Sequence, residues 1–178
     1  MSTEQALYLH DRIAEAGKAV GLRHAGLKAL SSLRMEKGYR DYGHDIDNTD
    51  SVHEAGLGFA VDLRRPSRFI GREAVEARKA AGPLTRRLLQ ILVTDPGPML
   101  FHAEVVRRNG TPVGYVRAAS YGFTLGGAVR LAMIEAGEPL DQVYLDGSTW
   151  QVDIAGRTYP AVASLRPLYD PTMRRVRS

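Results

Sequence analysis

The strongest constraint on the fold is a tight-turn signal in the second half of the chain. Asn109-Gly110 lies between two groups of β-forming residues, at positions 105–106 and 113–116. This dipeptide tolerates positive φ at both positions of a two-residue hairpin turn. A turn of this geometry matches the twist of the flanking strands. The pattern therefore predicts two antiparallel strands joined by a tight turn.

A second hairpin is predicted nearby, and it decides the fold class of this half. Residues 150–154 lead through Ala155-Gly156 into residues 158–162, and residues 88–93 form a further apolar run of strand length. Several short strands separated by glycine turns are typical of a small antiparallel barrel or sandwich.

The first half of the chain has helical signals instead. A first helix is predicted from a capping box of Ser2 and Gln5, with Gly17 as its stop. A second helix is expected from about residue 25 to 37, and a third over residues 71–81 before the breaker Gly82-Pro83. Residues 57–63 alternate well enough to predict a strand. Together the two halves predict an α+β chain with a boundary near residue 83.

Composition excludes several classes of protein. The chain of 178 residues has no cysteine, which excludes disulfides, cysteine–zinc sites and thiol nucleophiles. No stretch reaches the roughly 20 apolar residues of a membrane helix, and the amino terminus lacks a signal-peptide pattern. A cytoplasmic protein is expected. The net charge of +4 comes largely from the last residues, so nucleic-acid binding is not favoured.

The most charged and aromatic segment, residues 33–45, contains the first candidate site residue. Glu36 falls in the last turn of the second predicted helix, where the helix dipole disfavours a carboxylate. Arg34, Lys37 and Arg40 are expected to compensate for it. From composition alone, an ordinary surface cluster is the favoured interpretation of this segment. The scattered histidines do not have the spacing of metal ligands, so no metal site is predicted.

Several stretches, in chain order, resemble the tetrahydrofolate-binding aminomethyltransferase (glycine-cleavage T-protein-like) family. They are GLRHAG at 21–26, LRMEKGYR at 33–40, YGHD at 42–45, EAGLGFAV at 54–61, FIG at 69–71, GTPVGYV at 110–116 and PLYDP at 167–171. The EKGYR form at 36–40 is closer to dimethylglycine and sarcosine dehydrogenases than to the T-protein itself.

The resemblance implies a fold, a cofactor and site residues. Residues 1–83 resemble the carboxy-terminal portion of the folate-binding domain, and residues 84–178 resemble the carboxy-terminal β-barrel domain. The implied ligand is tetrahydrofolate. Glu36 matches the glutamate that holds the pterin, and Arg65 matches an arginine near the folate tail, although Arg64 remains an alternative. Tyr42, like Tyr39, is expected either to line the pocket by stacking or to pack in the interior.

The implied function is the tetrahydrofolate-binding part of a one-carbon (aminomethyl) transfer enzyme. Methylenetetrahydrofolate would form from a one-carbon unit released by oxidation of an N-methyl amine, with the flavin-bearing domain or subunit supplied elsewhere. The family's catalytic aspartate has no counterpart here, so no catalytic residue is assigned and the chain alone is expected to be inactive. The alternatives are a non-catalytic binding or assembly module, including a homodimer, and a glycine-cleavage aminomethyltransferase.

Overall fold

The computed structural model describes residues 2–65, 69–99 and 102–177 of the chain. The chain divides into two compact units, residues 1–30 and residues 31–178. Helix α2 (Leu27–Glu36) begins in the first unit and ends in the second. Among the described residues, no helix combines the length and the apolar character that crossing a membrane requires.

The first unit is helical. It contains a 3₁₀ turn (Thr3–Gln5), helix α1 (Ala6–Gly17) and a second 3₁₀ turn (Lys18–Val20). The predicted capping box is wrong, because the Gln5 N–H donates to the Ser2 carbonyl at 3.2 Å and the Ser2 side chain does not cap the helix. The predicted stop at Gly17 is confirmed.

Apolar side chains of the first unit are mostly exposed. Among its described residues only Gly17 is buried. The exposed large apolar side chains of this unit are Leu7, Tyr8, Ile13, Val20, Leu22, Leu27 and Leu30. Residues 2–30 therefore have no hydrophobic core of their own.

The second unit begins with the end of α2 and a long irregular segment. Helix α3 (Arg72–Ala80) confirms the prediction over residues 71–81. The strand predicted over residues 57–63 is wrong, since this segment contains a 3₁₀ turn (Gly58–Ala60). Apolar alternation makes a strand only where a neighbouring strand accepts its hydrogen bonds, and no named strand precedes residue 86 in the described part of the chain.

The rest of the second unit is a closed, antiparallel, six-stranded barrel. The strand order is β1-β4-β3-β2-β5-β6, and β6 pairs back onto β1. The strands are β1 (Arg86–Val93), β2 (Val105–Arg108), β3 (Thr111–Gly122), β4 (Gly127–Glu135), β5 (Trp150–Ile154) and β6 (Arg157–Ser164), and two short helices follow β4 and β6, α4 (Gln142–Leu145) and α5 (Arg174–Arg177). The α+β class and the barrel are confirmed. The predicted boundary at residue 83 falls between α3 and β1 and stays a prediction.

Both predicted hairpins are present. Asn109 and Gly110 have φ of 50° and 80°, and Ala155 and Gly156 have φ of 48° and 78°. Each pair forms the connection between adjacent strands, β2–β3 and β5–β6. The positive φ at all four positions is the conformation that the two-residue turns were predicted to need.

Strand β4 is buried on both of its faces. Its inward residues, among them Ala128 and Ala132, join the core inside the barrel. Its outward residues, among them Val129 and Leu131, pack with Met35 at the end of α2. Arg130 shares the inward face with the two alanines, because side chains two apart in a strand point the same way. This packing fixes the end of α2 against the outside of the barrel.

Candidate functional site

Glu36 ends α2 and is buried, with 2% of its surface exposed. Its Oε1 accepts hydrogen bonds from the Thr124 N–H at 2.7 Å and the Leu125 N–H at 2.9 Å. Its Oε2 accepts a third bond from the Thr124 hydroxyl at 3.0 Å. All three donors come from the connection between β3 and β4. Glu36 is therefore not part of an exposed surface cluster, the interpretation that composition alone favoured.

The β3–β4 turn, residues 123–126, brings these donors to the carboxylate. Gly126 has a φ of 75°, and its N–H donates to the Gly122 carbonyl at 2.8 Å. A Cβ added to Gly122 would lie 3.0 Å from the Glu36 Oε1, so the strand end approaches the carboxylate closely. Main-chain N–H groups in a turn need an acceptor when water is excluded, and Glu36 provides it.

The cations expected to compensate for Glu36 bind elsewhere. Arg34 pairs through both terminal nitrogens with the buried carboxylate of Asp45, and its Nη1 also donates to the Tyr39 carbonyl at 3.0 Å. Asp45 in turn accepts from the Asp41 N–H at 2.8 Å. This pair fixes the start of the loop that follows α2, the loop that contains Tyr42.

Lys37 and Arg40 also hold the surrounding chain rather than Glu36. Lys37 Nζ donates to the carbonyl and carboxylate of Asp170 at 3.1 and 3.2 Å. Arg40 Nε donates to the Ala55 carbonyl at 2.9 Å. Burial lowers the pKa of Arg40, although the charge of Asp45 acts in the opposite direction. The prediction that these cations compensate for Glu36 is wrong, since the barrel turn does so.

A buried ionic cluster holds the loop after α2 to the barrel. The carboxylate of Asp50 accepts from Arg86 of β1 at 2.6 Å and from Arg117 of β3 at 2.7 and 3.3 Å. Glu54 lies 3.5 Å from the same Arg86. Burial tends to raise the pKa of Glu54, but hydrogen bonds from Ser51 and the charge of Arg86 outweigh this effect, so the pKa is lowered.

The end of α2 is also held through its main chain. The side chain of Gln90, on the outer face of β1, donates from Nε2 to the carbonyls of Met35 at 2.6 Å and Glu36 at 3.1 Å. These carbonyls belong to the last turn of the helix, where a carbonyl has no N–H partner within the helix. The Gln90 Oε1 accepts from the Leu168 N–H, so one glutamine joins the helix, the barrel and the segment after β6.

The other two predicted site residues lie on the surface. Tyr42 is 69% exposed, and the Arg65 side chain is 74% exposed with its Nε 3.9 Å from the Asp62 carboxylate. Arg64 Nε lies 3.2 Å from the same carboxylate. Within the described residues, no hydrogen bond, ion pair or ring contact joins any two of Glu36, Tyr42 and Arg65.

Arg64 and Arg65 line different open grooves. Arg65 lines a groove of about 420 Å³ with Ala60, Val61, Asp62 and Phe69. Arg64 lines a groove of about 560 Å³ whose other lining residues include His53, Phe59 and Lys79. Arg65 and its alternative Arg64, predicted to lie near the folate tail, therefore line different grooves.

Sequence reasoning missed Thr124, Leu125 and Gln90. The glycine pair at residues 126–127 is itself a turn signal where it stands between two strands. Gln90 interrupts the apolar run of β1 and was the available sign of a polar contact on its outer face. Neither signal identifies Glu36 as the partner, because the contacts join positions 54 to 89 residues apart.

Two family models match the chain, and both describe parts of one protein family. The GCVT N-terminal domain matches residues 1–65, and the glycine cleavage T-protein C-terminal barrel domain matches residues 86–170. The chain belongs to the glycine-cleavage T-protein family. The barrel match covers strands β1 to β6, and the N-terminal match contains Glu36, Tyr42 and Arg65.

Similar proteins include an oxidase, a dehydrogenase and an aminomethyltransferase. The 4-methylaminobutanoate oxidase (formaldehyde-forming) of Paenarthrobacter nicotinovorans is 40% identical over 99% of this chain and 20% of its own length. Mitochondrial sarcosine dehydrogenase of Homo sapiens is 39% identical over 93% of this chain and 18% of its own length. An aminomethyltransferase of Synechococcus sp. (strain RCC307) is 38% identical over 84% of this chain and 40% of its own length.

A solved structure shows the same fold. The glycine cleavage system aminomethyltransferase T of Bartonella henselae superposes with a TM-score of 0.65 at 24% identity, over 83% of this chain and 41% of that chain. The chain spans about a fifth of the length of its oxidase and dehydrogenase relatives and about two fifths of the aminomethyltransferases.

Proposed function

We propose that this chain is the tetrahydrofolate-binding portion of a one-carbon transfer enzyme. The enzyme would form methylenetetrahydrofolate from a one-carbon unit released by oxidation of an N-methyl amine of the sarcosine or dimethylglycine type. A flavin-bearing domain or subunit, supplied elsewhere, would carry out the oxidation. Similarity over 93% of this chain to a protein named sarcosine dehydrogenase, and over 84% of it to one named aminomethyltransferase, supports this proposal.

The observation that carries the proposal is the environment of Glu36. Its carboxylate contacts N–H and O–H donors, and no cation among the described residues forms an ion pair with it. The 2-amino group and the neighbouring ring N–H of a pterin present two adjacent donors, which a carboxylate accepts side by side. The Glu36 carboxylate accepts only N–H and O–H donors here, and accepting such donors is the chemistry that the edge of the proposed ligand requires.

Arg65 and Tyr42 have the chemistry for the rest of the ligand. An exposed guanidinium can pair with the carboxylates of a folate glutamate tail in a forked geometry, and Arg65 lines an open groove. The exposed ring of Tyr42 offers a stacking surface. We propose that Arg65 binds the tail and Tyr42 packs on the ligand. Arg65→Ala should then weaken a tailed reduced folate and leave a tail-less reduced pterin unaffected.

This chain's residues bind and orient the ligand in the proposed reaction. N5 of tetrahydrofolate, when bound, accepts the one-carbon unit. Glu36 holds the pterin edge, and the Asp50 cluster holds the loop that contains Tyr42. No catalytic residue is assigned to this chain. A cytoplasmic location is part of the proposal, although the similar human sarcosine dehydrogenase is mitochondrial.

The experiment that tests the proposal is a calorimetric titration with a stable reduced folate. Wild-type chain, Glu36→Gln and Glu138→Gln are titrated in parallel. Glu138 is a matched control, because its exposed carboxylate pairs with Arg108 on the barrel surface. We expect binding by the wild type and the control, and binding weakened at least about tenfold in Glu36→Gln, the equivalent of one charge-assisted hydrogen bond. Equal binding by all three chains, or no binding by the wild type, would contradict the proposal.

A second candidate, an assembly module, has one specific observation in its favour. The first unit exposes its large apolar side chains and buries only Gly17 among its described residues. An apolar surface of this kind is typical of an interface. Light scattering after size exclusion distinguishes the candidates: a homodimer or an aggregate supports assembly, and a monodisperse monomer argues against it.

The comparisons leave the donor open between two enzyme types. Identity to the sarcosine dehydrogenase, 39%, and to the aminomethyltransferase of Synechococcus, 38%, is nearly equal. A glycine-cleavage type of reaction would take its one-carbon unit from a lipoyl-bound donor. Transfer from that donor by the full-length enzyme would favour this alternative, and dependence on N-methyl amine oxidation would favour the first proposal.

A further inference from the structure

The carboxylate of Glu36 is already occupied by the chain's own turn. Oε1 accepts two N–H groups and Oε2 accepts one hydroxyl, all from Thr124 and Leu125. A carboxylate has about four acceptor positions, so three are in use. With 2% of the residue exposed, the remaining position is not open to a planar ring.

A ligand that binds Glu36 must therefore compete with the β3–β4 turn. Two adjacent ligand donors would use one acceptor position on each carboxylate oxygen, and Thr124 contacts both oxygens. Gly122, which leads into the turn, also approaches closely, since a Cβ added there would lie 3.0 Å from the Glu36 Oε1. Binding with the turn in place is excluded by this burial.

We propose that the β3–β4 turn covers Glu36 in the free chain and is displaced when a ligand with two adjacent N–H donors binds there. This inference rests on the proposed function, since it takes Glu36 as the binding group. Thr124 then becomes a determinant of ligand affinity, although it does not itself contact the ligand.

The turn lies outside the paired residues of β3 and β4, so it can move away from Glu36 without breaking the barrel. Phe123 is 81% exposed, and Thr124 and Gly126 are also exposed, so the turn buries little apolar surface. Leu125 is the residue of the turn that packs partly against the outer cluster around Met35. Segments with few buried apolar contacts open locally at low cost. The three hydrogen bonds to Glu36 are the contacts that join the turn to the carboxylate.

Thr124→Val tests the inference, because valine keeps the shape of threonine and removes its hydroxyl. The apparent dissociation constant rises as the binding-competent fraction falls. Weakening the covered state by one hydrogen bond to a charged group should therefore tighten binding of a reduced folate by about tenfold or more. Thr124→Ser keeps the hydroxyl and should restore the wild-type affinity. Thr158→Val is a matched control, since it removes a hydroxyl bonded to Asp153 in the β5–β6 hairpin.

Hydrogen exchange gives a second readout that a purely structural role would not produce. Saturating reduced folate should accelerate exchange of the Thr124 and Leu125 amides, whose acceptor is Glu36. The main-chain amide of Asn109, bonded to the Thr149 carbonyl outside this turn, serves as an internal reference. Ligands ordinarily slow exchange around their sites, so acceleration at two neighbouring amides is a specific sign of displacement.

The outcomes separate this inference from the proposed function. If Glu36→Gln loses binding while Thr124→Val binds no tighter than wild type, or if the two amides become more protected, the displacement inference is wrong and the proposed function stands. If Glu36→Gln binds as well as wild type, or if no variant binds, both are wrong. Tighter binding by Thr124→Val together with faster exchange at Thr124 and Leu125 supports the inference.

Discussion

Arg130 allows a sharp test of the barrel interior, because a positive charge is buried there among apolar residues. Its three guanidinium nitrogens are buried and have no hydrogen-bond partner in the described part of the chain. Burial lowers the pKa of Arg130 to about 9, and the carboxylate of Glu104 opposes this effect only partly. At pH 7 the side chain is therefore still charged, and the fold bears the cost of desolvating it.

Arg130→Met should stabilise the chain. Methionine is unbranched, fills a similar volume and carries no charge. Burying one ion without a hydrogen-bond partner carries an effective penalty of several kcal/mol, of which we expect about 1–4 kcal/mol to be regained, and in a chain of this size each kcal/mol raises Tm by about 2–4 °C. We expect an increase in the free energy of unfolding in this range. Arg157→Met, the same change at an exposed position of β6, should have little effect.

Urea unfolding followed by tryptophan fluorescence measures this change directly. Trp150 is the single tryptophan of the chain and is buried in the barrel core, so its emission reports the unfolding of the barrel. A loss of more than about 1 kcal/mol in Arg130→Met, the net value of an ordinary hydrogen bond, would refute the reasoning. It would mean that the guanidinium has a stabilising partner inside the barrel.

The gain in the free energy of unfolding from Arg130→Met should change with pH in one direction. Because the folded pKa lies below that of the unfolded chain, both states are protonated below about pH 9, and the cost of the buried charge is constant there. Above about pH 9 the folded state releases the proton while the unfolded chain keeps it. Wild-type stability therefore recovers relative to the variant as pH rises. A gain that grows with pH would contradict this account.

Two further predictions concern the ionic cluster between the loop after α2 and the barrel. Asp50→Asn should destabilise the chain by about 3–5 kcal/mol, the usual cost of breaking a buried ion pair, because it leaves the Arg117 guanidinium with only the half-exposed carboxylate of Asp47, 3.8 Å away. Unchanged urea unfolding would show that the cluster is not stabilising. Glu54→Gln tests the lowered pKa of Glu54. Burial tends to raise this pKa, but the hydrogen bonds from Ser51 and the charge of Arg86 outweigh burial. The stabilisation from Glu54 should be complete above its ordinary pKa of about 4.3 and lost as pH falls through the lower folded value. Acid titrations of the two chains should thus converge at low pH, and parallel curves would argue against the ion pair.

Local chemistry made part of the fold predictable. Asn109-Gly110 and Ala155-Gly156 determine their turns through the φ values that their own residues tolerate, so the hairpins could be predicted. Strand β4 could not be predicted, because burial on both of its faces removes the alternation of apolar and polar residues that marks a strand. The wrong strand at residues 57–63 had alternation but no partner strand. Pairing is a property of the tertiary fold and is not encoded in a short segment.

The candidate site was less predictable than the fold. The resemblance pointed to Glu36, but helix geometry alone predicted cationic partners that the structure places elsewhere. The actual donors, from Thr124 and Leu125, are almost 90 residues away in sequence. Arg34 was predicted to compensate for Glu36 and instead binds Asp45, at the end of the charged segment over residues 33–45. Long-range partners of a buried carboxylate cannot be inferred from local spacing.

The central claim is that Glu36 recognises the edge of a pterin ring. Its most direct test is a calorimetric titration with a reduced pterin that lacks the glutamate tail, so that only the ring contributes. We predict that the wild-type chain and Arg65→Ala bind this ligand equally, and that Glu36→Gln binds it at least about tenfold more weakly. Equal affinity of the wild type and Glu36→Gln would contradict the claim and leave Glu36 as the structural acceptor of the β3–β4 turn.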